Sequence, residues 1–147
     1  MSKLIPDLEL RDLLRNSRRI AVIGLSPVPA RPSYAVTRYL IENGYEISGV
    51  RPGSPKEILG RPCVESLNEL TEDIDIIDVF RNSDAIPDVV SEIEIWMKSA
   101  AMKNHRKPKL LWLQEGVHHP EAEARAEKLG LTVVSNKCIL KEHARLL

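Results

Sequence analysis

The chain has 147 residues, 43% of them hydrophobic, and its 21 basic and 21 acidic side chains cancel to a formal net charge of zero at pH 7. That length suits a single domain, residues 1–147, which can bury most of its apolar surface without disulfides or metal and leaves no room for a second, catalytic domain. Balanced charge without a long basic run excludes the electrostatic footprint of a nucleic-acid binder, and with no stretch approaching about 18 apolar residues a soluble cytoplasmic protein away from membranes is expected.

Residues 7–16 (DLELRDLLRN) place Leu10, Leu13 and Leu14 on one face, which predicts a lead-in helix within residues 1–17. Its charges, Asp7, Glu9, Arg11 and Asp12, would interrupt the apolar core of a signal peptide. The first strand is expected over roughly Arg18 to Leu25, with Gly24 at its end. After a turn with three prolines, Pro32 suits the first helical position; Ala35, Val36, Tyr39 and Leu40 continue the helix as an apolar stripe, and Gly44 ends it.

Tyr45 to Val50 reads as the second strand, stopped by RPGSP, and a loop is expected from there to a short helical piece near Leu67 to Leu70. IDIIDVF has the β-branched density of a buried third strand. Apolar residues recur at helical spacing from Ser83 to about Asn104, with Ser83 as a candidate cap and Trp96 in the core. KLLWLQ is the fourth strand, a helix runs from Pro120 to Gly130, LTVVS is the fifth strand, and a final short helix is expected through KEHARLL. This alternation predicts an α/β fold, a Rossmann-like three-layer α/β/α sandwich on a five-stranded parallel sheet of order 3-2-1-4-5.

Ligands of such sheets bind beyond the carboxyl ends of the strands, where the winding reverses, here expected between strands one and four. The segment after strand one, GLSPVPARPS, keeps Gly24 but lacks the second and third glycines of the dinucleotide fingerprint. It still offers anion donors: the hydroxyls of Ser26 and Ser33, the guanidinium of Arg31, and the N–H groups of Ser33, Tyr34 and Ala35 at a helix N-terminus. The alternative is a proline-stiffened loop that binds nothing.

An NAD site places a carboxylate at the end of strand two. This chain has Arg51 there, with Lys56 nearby, which suits a phosphorylated ribose or is simply a solvated surface cation. Arg81, directly after Phe80, adds a second cation, and Gln114 with Gly116 supplies an amide and a close backbone approach. Together these strand ends point to a phosphate-rich nucleotide with a polar, amide-bearing arm.

The other candidates carry less. Cys63 and Cys138 stand 75 positions apart and read as free thiols in a reducing compartment, or as buried small hydrophobes. His118 and His119 are adjacent, so they lack the spacing of four that puts two metal ligands on one helix face. His143 could approach Cys138 in a helix, whereas His105 is isolated. Asp75 and Asp78, three apart on a strand, point to opposite faces and make no paired-carboxylate site. No catalytic residue and no metal site are assigned.

IAVIGLSPVPARPSYAVTRYL, DIIDVFRNS, LWLQEGV and NKCILKEHARLL resemble, in this order, the small bacterial and archaeal CoA-binding proteins. Those are single Rossmann-like domains similar to the N-terminal CoA-binding domain of the succinyl-CoA synthetase α subunit, and the resemblance covers about residues 10–147. It implies that Gly24, Leu25, Ser26, Ser33 and Tyr34 hold the CoA pyrophosphate, and that Arg51, Pro52 and Lys56 border the adenosine 3′-phosphate and adenine. It also implies that Phe80 and Arg81 flank the nucleotide and pantetheine, with Gln114, Glu115 and Gly116 along the pantetheine side. Many members carry asparagine where this chain has Arg51, whose charge favours the 3′-phosphate. The synthetase's phosphohistidine belongs to a further domain that this sequence lacks, so ligase activity is not implied.

The expected function is therefore binding of CoA or an acyl-CoA without autonomous catalysis, with small-molecule CoA as partner. A reaction of Cys138 with the CoA thiol stays open. The alternatives are an NADP-dependent oxidoreductase, or a regulatory module that has lost its ligand.

Overall fold

In the computed structural model, which describes residues 5–147, strands and helices alternate along most of the chain. α1 (Asp7–Asn16) leads into β1 (Arg19–Ile23), α2 (Pro32–Glu42) and β2 (Glu46–Val50), and a hairpin of β3 (Glu57–Ile58) and β4 (Arg61–Val64) follows. Then come β5 (Ile76–Val79), α3 (Ile86–Met97), β6 (Leu110–Leu113), α4 (Pro120–Lys128), β7 (Thr132–Val134) and α5 (Ile139–Leu146).

The strands form one sheet of order β3-β4-β2-β1-β5-β6-β7, parallel throughout except for the β3–β4 pair. Its central strands are apolar runs because both faces are covered, and successive side chains go to opposite faces. Ile20, Val22, Ile76 and Trp112 pack with Leu14, Leu40 and Ile139 of α1, α2 and α5. Ala21, Ile23, Ile77 and Leu111 pack with Val90, Ile93 and Ala122 of α3 and α4. Helices thus lie on both faces of the sheet, and none of them, among the described residues, is long and apolar enough to cross a membrane.

Two expectations about the sheet are corrected. Among the described residues it has seven strands, not five, because the stretch expected as a loop after RPGSP contains β3 and β4. Leu59 (φ 54°) and Gly60 (φ 73°) both take positive φ, as a two-residue primed hairpin turn demands. Cys63 and Val64 then pair in parallel with Gly49 and Val50. The order also differs: β4 takes the place beyond β2 that 3-2-1-4-5 assigned to the third strand.

That third strand is β5. All four of its residues are buried, so it needs neighbours on both sides, and it pairs with β1 from Ile20↔Ile76 to Ile23↔Val79. β4, of the same length but half-exposed and paired with β2 through two residues only, lies outside β2 with only the two-residue β3 beyond it. The winding reverses between β1 and β5.

The helix expected from Ser83 to Asn104 is divided. A 3-10 turn at Ser83–Ala85 precedes α3, and another at Ala100–Met102 follows it. Ser83 does not cap α3; its hydroxyl accepts from the His118 N–H (3.0 Å) and so ties the segments after β5 and β6 together. The last helix begins at Ile139, ahead of the expected KEHARLL.

Candidate functional site

At the carboxyl ends of β1, β2, β5 and β6 the chain leaves a crevice of about 610 Å³. Gly24 borders it; the residue has φ +88°, and a Cβ added there would lie 2.4 Å from the Phe80 carbonyl oxygen. Only glycine lets β1 and β5 come this close where the chain turns away from the sheet. Gly24 N–H donates to Val50 O and Phe80 N–H to Ile23 O, both at 2.8 Å, so the three strand ends are bonded together at this point.

From Gly24 the proline-rich turn runs to α2, whose first residue is Pro32. Ser26 N–H donates to Ser33 Oγ (2.9 Å), and Val28 N–H donates to Ser26 Oγ (3.1 Å). Each hydroxyl already accepts from the backbone, so its hydrogen is left to donate, and both serines border the crevice. The turn has replaced glycine N–H donors by two hydroxyls held in place by a stiff loop. Tyr34 N–H, expected to face an anion, instead bonds Arg31 O (3.1 Å).

Three arginines surround this end: Arg31 before α2, Arg51 after β2 and Arg81 after β5. All are exposed, and none forms an ion pair among the described residues. Arg51 is steadied by a long contact from Nη1 to Gly24 O (3.4 Å). Three guanidiniums without an ion pair among the described residues thus stand beside two hydroxyls free to donate, the donor types that phosphate oxygens accept from.

The opposite end has different chemistry. Gln114 and Glu115 follow β6, and Cys138 stands at the N-cap of α5. Trp112 holds that segment in place by donating its indole N–H to Lys137 O (2.8 Å). Gln114 Oε1 accepts from Ile139 N–H (3.3 Å), and Glu115 pairs with Lys141 (2.8 Å). His143 does not serve Cys138: its Nδ1 lies 2.7 Å from the Tyr39 hydroxyl, and burial lowers its pKa.

A second hollow of about 370 Å³ shares Gly24, Arg51, Phe80 and Arg81 with the crevice and extends it past Pro52 to Glu65 and Ser66. Of the residues named from sequence, Gly24, Ser26, Ser33, Arg51, Phe80, Arg81, Gln114 and Glu115 border the crevice, and Pro52 borders the hollow. Leu25 lies wholly in the core, and the Tyr34 side chain packs against the core on the α2 side. Lys56 and Gly116 border neither space; Gly116 N–H is taken by Asn136 Oδ1 (2.7 Å).

Arg31 was visible as an anion donor and Cys138 as a thiol candidate, but Val36, Asn82 and Val117 also line the crevice. Asn82 and Val117 immediately follow named residues and were within reach of the strand-end rule. Val36 could be read only as one position of an apolar helical stripe. Among the described residues, no three His, Cys, Asp or Glu side chains come together as a metal site.

The model of the CoA binding domain matches residues 18–144 of the chain. The chain belongs to the CoA-binding domain family. Among its relatives, YneT of Bacillus subtilis (strain 168) is 37% identical over 136 residues, which is 92% of this chain and 93% of that protein. A solved structure from Thermus thermophilus, cell-free ID.343, superposes with a TM-score of 0.86 at 38% identity, covering 97% of this chain and all (100%) of the other. A hypothetical protein from Pyrococcus horikoshii OT3 superposes with a TM-score of 0.83 at 30% identity, covering 99% of each chain.

Proposed function

We propose that the crevice binds CoA or an acyl-CoA and that the domain performs no catalysis of its own. The observation that carries this is the polarity of the site: two donor hydroxyls and three unpaired arginines at the β1, β2 and β5 ends, and at the β6 and α5 ends an amide, a thiol and a carboxylate, Glu115, already paired with Lys141. CoA has the same polarity, with three phosphate groups on a nucleotide and a neutral diamide arm ending in sulfur. The pyrophosphate is assigned to Ser26 and Ser33, and the adenosine 3′-phosphate to Arg51. Adenine lies against Pro52 and Phe80 in the second hollow, and pantetheine runs past Arg81 to Gln114 and Glu115. Catalysis is left to a partner that uses the bound thiol or acyl group.

A nicotinamide dinucleotide is the competing ligand, because Arg51 would also suit the 2′-phosphate of NADP. A thermal-shift panel of CoA, acetyl-CoA, dephospho-CoA, NAD and NADP separates the two. A ligand that binds only the folded state at a hundred times its Kd adds about 2.7 kcal/mol of stability. CoA and acetyl-CoA should raise Tm most, dephospho-CoA less, and NAD least. A larger shift with NADP favours the oxidoreductase, and no shift with any of the five favours a module that has lost its ligand.

A further inference from the structure

Behind the amide wall of the crevice lies a carboxyl that no ligand contact requires. Asp78 is fully buried (0% exposed) on β5, in register with Val22 on one side and Trp112 on the other. Gln114 Nε2 donates to its Oδ1, and its Oδ2 has no hydrogen-bond partner among the described residues. A core carboxyl without a cationic partner costs stability that an apolar side chain of similar volume would not. Its presence therefore calls for a role outside packing.

Gln114 supplies that role. Its Oε1 must face the Ile139 N–H, because a flipped amide would set donor against donor, so Nε2 is directed at Asp78. With one Nε2 hydrogen on Asp78, the other remains, and Gln114 borders the crevice. We propose that Asp78 is a positioning residue for ligand recognition: together with the Ile139 N–H, it holds the Gln114 amide so that the second Nε2 hydrogen donates to a carbonyl oxygen of the ligand's amide or thioester arm. This rests on the CoA reading of the crevice and specifies what the β6 end recognises, a neutral carbonyl and not a further phosphate.

The role is sensitive to pH. Burial pushes the Asp78 carboxyl up to about 8, so it is mainly the neutral acid at pH 7. Ionised, it places an anion directly behind a site for a polyanionic ligand. Of the titratable groups on the helices over this face, His143 is bonded to Tyr39, Glu142 and Asp7 to Arg145, and Glu9 and Asp12 of α1 line a separate groove beside Asp75. Cys138, Arg31, Arg51, Arg81 and Glu115 face the crevice, and the side chain bonded to Asp78 is Gln114.

The test is calorimetric titration with desulfo-CoA, which lacks a thiol that would itself ionise, at pH 7 and pH 9. The proteins are wild type, Asp78→Asn and Asp78→Leu, with melting curves to confirm folding. If only the protein with neutral Asp78 binds, wild-type affinity falls up to about tenfold between the two pH values. Asp78→Asn keeps an acceptor for Gln114 and cannot ionise. It should bind within about threefold of wild type at pH 7 and escape the alkaline fall, while titrations shared by the two proteins cancel in their ratio. Folded Asp78→Leu should bind about tenfold more weakly at pH 7. Wild-type affinity in folded Asp78→Leu, or identical pH profiles for wild type and Asp78→Asn, overturns the proposal. No wild-type binding at either pH overturns the CoA reading and this proposal with it.

Discussion

Replacing Gly24 by alanine perturbs the point on which the crevice is built. The residue has φ +88°, and the added Cβ would lie 2.4 Å from Phe80 O and 3.2 Å from Phe80 C. The left-handed backbone alone costs an alanine about 1–2 kcal/mol. The contact is with backbone, so no rotamer change relieves it; β1 and β5 must separate, and overpacking of this kind costs about 1–3 kcal/mol more. The separation strains the 2.8 Å bond from Phe80 N–H to Ile23 O and moves Ser26 relative to Arg81. Urea unfolding of Gly24→Ala should show a lower midpoint at unchanged slope, with a loss of about 2–5 kcal/mol. CoA affinity should fall in the protein that remains folded. Stability within about 0.5 kcal/mol of wild type would refute the close approach of β1 and β5 as the reason for glycine.

Arg51→Ala should weaken CoA by roughly 10- to 150-fold, the loss of a charge-assisted contact of about 1.5–3 kcal/mol, and leave dephospho-CoA nearly unaffected in a calorimetric comparison. Equal losses for both ligands would move Arg51 away from the 3′-phosphate. Iodoacetamide should label Cys138 in the free protein and about tenfold more slowly with CoA at ten times its Kd, read by peptide mass mapping; buried Cys63 serves as the unreactive reference. Equal labelling rates would take Cys138 out of the bound region. Asp78 titrates near 3.9 when unfolded and at about 8 when folded, so between those values the unfolded chain holds fewer protons. Wild type should therefore lose stability relative to Asp78→Asn as pH rises from about 4 to about 8, and level off above that; parallel denaturation profiles would contradict the buried acid.

Much of the layered fold was legible because its signals are local. Leu10, Leu13 and Leu14 mark α1, Pro32 and Gly44 bracket α2, and the β-branched run of IDIIDVF marks β5. The RPCV strand was not, since it contains a proline and pairs with β2 through only Cys63 and Val64. With that strand uncounted, β5 had to be given its place, and the expected order followed.

The site was legible where it depends on which residue follows a strand, as for Gly24, Arg51 and Arg81. It was hidden where a side chain's direction decides. Leu25 follows Gly24 but points into the core. The Tyr34 N–H is used within its own turn. Asp78 read as half of a rejected carboxylate pair, because its bond to Gln114 crosses from β5 to the end of β6.

A crystal structure of the complex with CoA tests the central claim most directly, through the distances from the ligand's phosphate oxygens to the protein. The account predicts pyrophosphate oxygens within hydrogen-bond reach of the Ser26 and Ser33 hydroxyls, the 3′-phosphate beside Arg51, and a pantetheine carbonyl at Gln114 Nε2. A nucleotide bound in the opposite sense, with its phosphates at Glu115 and Cys138, or bound outside the crevice, would contradict it.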